Sequence, residues 1–216
     1  MKIVVIGLGY IGLPTAALIA SKKIDVLGVD INENVVKTID EGKIHIVEPD
    51  LDGLVHKVVS EGYLKANTKP DKADVFIIAV PTPFKEDHIP DLSYVESAIK
   101  MILPYLEDSN LLIIESTSPI GTTEQMYELI KKERPELKDK IYMAYCSERV
   151  LPGKILYELE YNDRVIGGVN KISARKAIEF YSKFVKGTLY ETDAKTAEMY
   201  KLVENAYRDV NIAFAN

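Results

Sequence analysis

The chain has 216 residues, 47% of them hydrophobic, with a formal net charge of -6 and a pI near 5.2. A chain of this length closes one sizeable core, burying roughly 70% of its unfolded surface. The acidic balance excludes sequence-independent binding to nucleic acid or to an anionic membrane, which need a basic surface, and the single cysteine, Cys146, excludes an intramolecular disulfide and a cysteine-rich zinc site.

Met1 and Lys2 lead straight into the apolar run 3–6 and a glycine loop, without the pattern of a signal peptide, so a cytoplasmic protein is expected. Every apolar run is cut by a charge, a glycine or a proline well short of the ~20 residues a spanning helix needs, so no membrane insertion is expected. Runs at 3–6, 26–29, 75–80, 111–114, 141–145 and 164–166 are short, largely β-branched and apolar on both faces, which predicts buried strands. Between them, 14–21, 33–41, 51–61, 92–103, 122–134 and 172–186 carry apolar residues at three- and four-residue spacing and predict covering helices. The alternation implies an α/β fold over residues 1–192: a Rossmann-like, doubly wound, mainly parallel sheet with helices on both faces. Pro14 suits a first helical turn, and Gly187 suits a helix stop.

From Asp193, which suits an N-cap, to Asn216 there are 24 residues without proline or glycine, predicting one long C-terminal helix over 193–216. Its apolar positions cover more than one stripe, so it is expected to pack on two sides. Tyr207, Val210 or Phe214 should then be exposed in this chain unless it self-associates, and a homo-oligomer through the helix is expected.

Gly7, Gly9 and Gly12 form G-x-G-x-x-G between the first strand and the first helix, the setting in which that spacing binds a dinucleotide. Gly7 permits a tight turn, Gly9 a close approach to a pyrophosphate and Gly12 the packing of helix on strand, while the helix N-terminus offers free N–H donors to phosphate. A purely structural glycine turn gives the same spacing. Asp30 strengthens the dinucleotide reading: it ends the second strand, 18 residues past Gly12, where a carboxylate accepts hydrogen bonds from ribose hydroxyls and repels the 2'-phosphate of NADP. NAD is therefore the expected cofactor; the alternative role for Asp30 is to cap the helix that begins near Asn32.

Ligands in open α/β sheets lie beyond the carboxyl ends of the strands, which draws attention to the polar residues there. Pro81, Thr82 and Pro83 follow the third run, Glu115 to Pro119 the fourth, with Thr117 near the place of a nicotinamide, and Cys146, Ser147, Glu148 and Arg149 the fifth. Each is also an ordinary turn residue. On the terminal helix Lys201, Asn205 and Arg208 share one face at i, i+4 and i+7, as solvated helix faces often do.

Five segments together resemble the UDP-glucose/GDP-mannose dehydrogenase family: Gly7 to Pro14, Val80 to Phe84, Glu115 to Gly121, Glu148 to Gly153, and Ala197 to Asn205. The stretch from Glu148 to Gly153, with 162–168 and 208–216, most resembles the branch that acts on UDP-N-acetyl-D-mannosamine. It departs at Ser147, where that branch commonly has proline. The resemblance implies two NAD-dependent oxidations of a sugar C6 alcohol to a carboxylate. It further implies that Lys201 is the cation and proton-transfer group at the reacting oxygen, with Asn205 as hydrogen-bond partner. It also implies that Glu148 orients water and that Thr117 lies near both nicotinamide and reacting carbon. Tyr10 and Ile11 are expected to join the glycines, Asp30, Thr82 and Thr117 at the cofactor, and the resemblance implies that Arg149, Val150 and Arg208 join Lys201 and Asn205 at the nucleotide sugar.

The family's thiol nucleophile lies in a segment beyond the long helix, so this chain is expected to bind NAD without carrying that thiol or the second, sugar-nucleotide domain. Cys146, directly after an apolar run, is expected to be a buried hydrophobe. A β-hydroxyacid dehydrogenase shares the glycine loop and the Lys-to-Asn spacing, but would not be expected to show the 148–153 stretch. Another UDP-sugar dehydrogenase, or a non-catalytic NAD-binding module, remain alternatives. His45, His56 and His88 lack ligand spacing, and no metal is expected.

Overall fold

The structure is a computed structural model describing all residues, 1–216. Eight strands form one sheet: β1 (Lys2–Ile6), β2 (Asp25–Val29), β3 (Leu64–Asn67), β4 (Val75–Ile78), β5 (Leu111–Ile114), β6 (Tyr142–Tyr145), β7 (Arg164–Gly168) and β8 (Leu189–Asp193), in the order β3-β2-β1-β4-β5-β6-β7-β8. All neighbours pair in parallel except β6 and β7, which run antiparallel. The period-two geometry of a strand divides the core: Ile3 and Val5 of β1 face one layer, Val4 and Ile6 the other, and all four are buried.

One layer holds α1 (Gly12–Ser21), α3 (Leu51–Ser60), α6 (Ile155–Tyr161) and α7 (Lys171–Tyr181); the opposite layer holds α4 (Ser93–Ile102) and α5 (Thr122–Glu133). Helix α2 (Glu33–Asp40) packs beside β3, and α8 (Ala194–Ala215) follows β8. The six predicted strands and seven predicted helices are all present. Two edge strands and one helix are added. β3 and β8 bury few residues and so lack a continuous apolar run, and α6 lies behind the Pro152-Gly153 turn that reads as loop.

The predicted helix over 172–186 stops at Tyr181, because the chain turns in to bury Phe184 and Val185. Gly187 therefore does not end a helix. A Cβ there would lie 2.2 Å from the Asn162 carbonyl oxygen, so Gly187 serves a close approach between two backbone segments. Asp193 does cap α8: its carboxylate accepts the Thr196 N–H at 2.9 Å and the Thr196 hydroxyl at 2.7 Å. No helix is long and apolar enough to cross a membrane.

Candidate active site

The turn after β1 is made of backbone. Gly7 has φ of +91°, and a Cβ there would meet the Ala79 carbonyl oxygen at 2.5 Å; a Cβ on Gly12 would meet the Gly7 carbonyl oxygen at 1.8 Å, with the Ala79 side chain at 3.4 Å. The tightest constraint on Gly12 is thus the loop itself rather than strand packing. Gly9, by contrast, faces open space, with nothing within 4 Å of a Cβ built on it. No side chain caps α1, whose N-cap is Ile11, and the N–H groups of Ile11 and Gly12 find no acceptor in the chain. Open space beside unpaired donors at a helix N-terminus fits a pyrophosphate.

Asp30 links this loop to the end of β2. One carboxylate oxygen accepts the Leu8 N–H at 3.0 Å and the other the Asn32 N–H at 2.9 Å. It does not cap α2, because the side chain of Asn32 does, accepting the Asn34 N–H at 3.0 Å. Asp30 stands at the edge of a 280 Å³ slot lined by Gly7, Ile31, Pro81, Tyr94, Ala98 and Met101 among others, mainly apolar as the faces of a purine require. Sequence reasoning missed Tyr94 and Met101, since α4 reads as an ordinary covering helix; the only signal is a tyrosine at its polar start.

The slot continues, through the shared Val80 and Pro81, into a 180 Å³ pocket over the carboxyl ends of β4 and β5, lined by Ile11, Thr82, Glu115, Ser116, Thr117 and Glu148 with their neighbours. Tyr10 is exposed beside it. Thr82 does not offer its proton to a ligand: its hydroxyl donates to the Thr117 carbonyl at 2.7 Å and ties the two loops together. The Ser116 hydroxyl likewise donates to the Val80 carbonyl at 2.7 Å. Below lies a polar layer. Buried Glu115 accepts the Tyr181 hydroxyl at 2.6 Å, and Arg164, 3% exposed, stands 3.9 Å from it. Burial raises the Glu115 pKa, opposed first by the Arg164 charge.

Lys201 stands behind Glu148, the last residue of this lining. It is 5% exposed, so the solvated-face reading of this residue fails, and its ammonium donates to the Glu148 carbonyl at 2.7 Å with a Glu148 carboxylate oxygen at 3.5 Å. The other carboxylate oxygen accepts the Val150 N–H at 2.9 Å, fixing the Glu148 side chain. Beyond Lys201 opens a 610 Å³ cleft lined by Arg149, Val150, Asn162, Tyr200, Glu204 and Arg208 among others. Arg149 pairs with Glu204 at 2.6 Å and lies 5.4 Å over the Tyr200 ring, while the second Glu204 oxygen is buried without a partner. Asn205 does not line this cleft; its carbonyl accepts from Arg208 at 3.4 Å. Cys146 is fully buried, and burial pushes its thiol up to about 11. No three His, Cys, Asp or Glu side chains converge as metal ligands.

A backbone cradle, an acid at the end of β2 and a crevice where the strand order reverses define a dinucleotide-binding domain, with a cleft lined by Arg149, Lys201, Arg208 and two glutamates on the far side of Glu148. Residues 1–185 match the family model described as "UDP-glucose/GDP-mannose dehydrogenase family, NAD binding domain". The chain belongs to that family, and NAD is the cofactor of this domain. It is 58% identical to the UDP-N-acetyl-D-mannosamine dehydrogenase of Campylobacter jejuni, over 100% of this chain and 55% of that protein. It is 54% identical to the NDP-N-acetyl-D-galactosaminuronic acid dehydrogenase of Ralstonia nicotianae, over 98% of this chain and 52% of that protein. The solved UDP-N-acetyl-mannosamine dehydrogenase of Staphylococcus aureus superposes with a TM-score of 0.95 at 48% identity, over 100% of this chain and 53% of that one. The chain therefore spans about half the length of the relatives it matches.

Proposed function

We propose that this chain is the NAD-binding and acid–base portion of a UDP-N-acetylhexosamine 6-dehydrogenase whose substrate is UDP-N-acetyl-D-mannosamine. The observation that carries the reading is the buried Lys201 ammonium, held against Glu148 between the pocket over β4 and β5 and the Arg149/Arg208 cleft. NAD, when bound, supplies the hydride acceptor. The backbone donors of Ile11 and Gly12 bind its pyrophosphate, Asp30 its adenosine ribose, and the pocket beside Thr117 its nicotinamide.

In the first oxidation the C6 alcohol loses a proton as hydride departs, and negative charge grows on its oxygen. The Lys201 ammonium is assigned the stabilisation of that charge, with the proton passing to water and Asn205, four residues on along the helix, as its proposed partner. Glu148 orients the water that later releases the acid. Arg149 and Arg208 supply cations for the diphosphate, and the Val150 segment supplies backbone. The aldehyde stage needs a thiolate, and a fully buried thiol with a raised pKa is unsuited to attack. That nucleophile is assigned to the part of the relatives' length that this chain does not span, together with the second half of the sugar-nucleotide site. The exposed α8 residues Tyr207, Val210 and Phe214 are assigned to a homo-oligomer contact, and the protein to the cytoplasm, where thiols stay reduced.

NADH formed per UDP-N-acetyl-D-mannosamine is the test. The 216-residue chain is expected to bind NAD, at least about tenfold tighter than NADP, yet to form no NADH. A polypeptide extended to the relatives' length is expected to form two per sugar. Two NADH from the short chain would assign the thiol to Cys146, and none from the extended one would sink the reading.

A further inference from the structure

Helix α5 begins without a cap of its own. Its N-cap is Gly121, at φ of 92°, which has no side chain to accept the first N–H groups. The acceptor comes from another helix, 77 residues away: one Glu198 carboxylate oxygen accepts the Gly121 N–H at 2.5 Å, and the other accepts the Thr123 N–H at 2.8 Å and the Thr123 hydroxyl at 2.6 Å. Glu198 is 0% exposed, and a carboxylate at a helix N-terminus is favoured by the helix dipole. It is the one buried acid on α8, and it sits one turn before Lys201 on the same buried face.

Gly121 closes the loop that carries Thr117. That loop is already braced by the bonds from Thr82 to the Thr117 carbonyl, from Ser118 to the Ser116 carbonyl at 2.9 Å and from Thr122 to the Pro119 carbonyl at 2.7 Å. Hydrogen bonds joined by the short backbone between them thus tie Thr82, through the Thr117 loop, to Glu198. One helical turn further on, Lys201 meets Glu148.

We infer that Glu198 is a positioning residue: by capping α5 from α8 it fixes the Lys201 ammonium relative to the Thr117 loop across the nicotinamide pocket. The inference rests on the reading of Lys201 given above only for its chemical consequence, not for its geometry. Removing the carboxylate leaves three donors without an acceptor, two of them fully buried, and α8 is released at the turn that matters most to Lys201.

The test reads Lys201 directly. In the 216-residue chain, the rate at which an amine-acylating reagent modifies Lys201 is followed by mass spectrometry across pH, with exposed Lys23 as internal control and the Kd for NAD measured alongside. For Glu198→Ala, Lys201 acylation is expected to rise about tenfold, with Lys23 unchanged and NAD affinity within about twofold. Glu198→Gln retains one acceptor for Thr123 but turns an amide N–H toward Gly121, so it should restore part of the protection. If Glu198→Ala raises labelling everywhere, Glu198→Gln decides: selective loss at Lys201 supports the inference. Protection at Lys201 equal to the parent chain in a folded variant overturns it. In the polypeptide extended to the relatives' length, Glu198→Gln should lower kcat with KM for NAD unchanged. Lys201→Met there separates the two readings: full turnover would remove Lys201 from the chemistry while leaving the labelling result intact.

Discussion

The two walls of the crevice are built from different materials. On the β1–α1 side the binding groups are main-chain N–H donors, shaped by glycines and held by strand pairing; on the α8 side they are side chains, Lys201, Arg149 and Arg208, each held by another side chain or a single carbonyl. A main-chain wall has one geometry and fails as a unit when a Cβ is added where none fits. A side-chain wall can be dismantled one contact at a time.

Gly12→Ala tests the first statement most severely. The new Cβ would lie 1.8 Å from the Gly7 carbonyl oxygen, so backbone must move. A loss of about 3 kcal/mol in stability and a loss of NAD affinity on the order of 100-fold are expected; calorimetry and NAD titration read both. Normal affinity would mean that the cradle adapts and that the contrast between the walls is false. Asp30→Ala should do less, because it leaves the glycine loop in place while stranding the Leu8 and Asn32 N–H groups. NAD affinity should fall roughly ten- to a hundredfold, and the preference over NADP should narrow.

The smallest effect belongs to Cys146, beneath the junction of the walls. With its pKa pushed from 9.0 to about 11, its thiolate fraction at pH 8 should be on the order of 100-fold below that of an exposed thiol, and alkylation correspondingly slow. The unfolded chain ionises this thiol first, so the thiol contributes a fall in stability as pH rises from about 9 to about 11. Denaturant midpoints across that window, compared with Cys146→Ala, should show the extra slope only in the parent chain. Rapid labelling of the native chain would reveal an open junction.

What was legible in the sequence follows the same division. Gly7, Gly12 and Asp30 announce themselves because their roles depend on local spacing, and the buried strands because both faces are apolar. The position of Thr82 after a strand points it to the cofactor, yet its proton goes to the Thr117 carbonyl, 35 residues away, a pairing that no local pattern encodes. Glu198 is similar: in the sequence it is one more acid among the polar positions of the long helix, and only the tertiary fold brings it to Gly121. The absence of proline and glycine announces the long helix, but no sequence pattern shows that its buried positions, Ala194, Ala197, Glu198 and Lys201, all fall in the first eight of its 22 residues.

The rest of α8 stands clear of the sheet, with residues 206–216 exposed. Treated as a rigid rod pivoting at Glu198, it has arms of very unequal length: about 4.5 Å to Lys201 and about 25 Å to Ala215. A sideways displacement of the outer end therefore reaches the Lys201 backbone reduced to roughly a fifth. Whatever grips or jostles the outer turns works against a fulcrum set almost under the ammonium, which leaves the reacting geometry mechanically insulated from the part of the helix most open to disturbance.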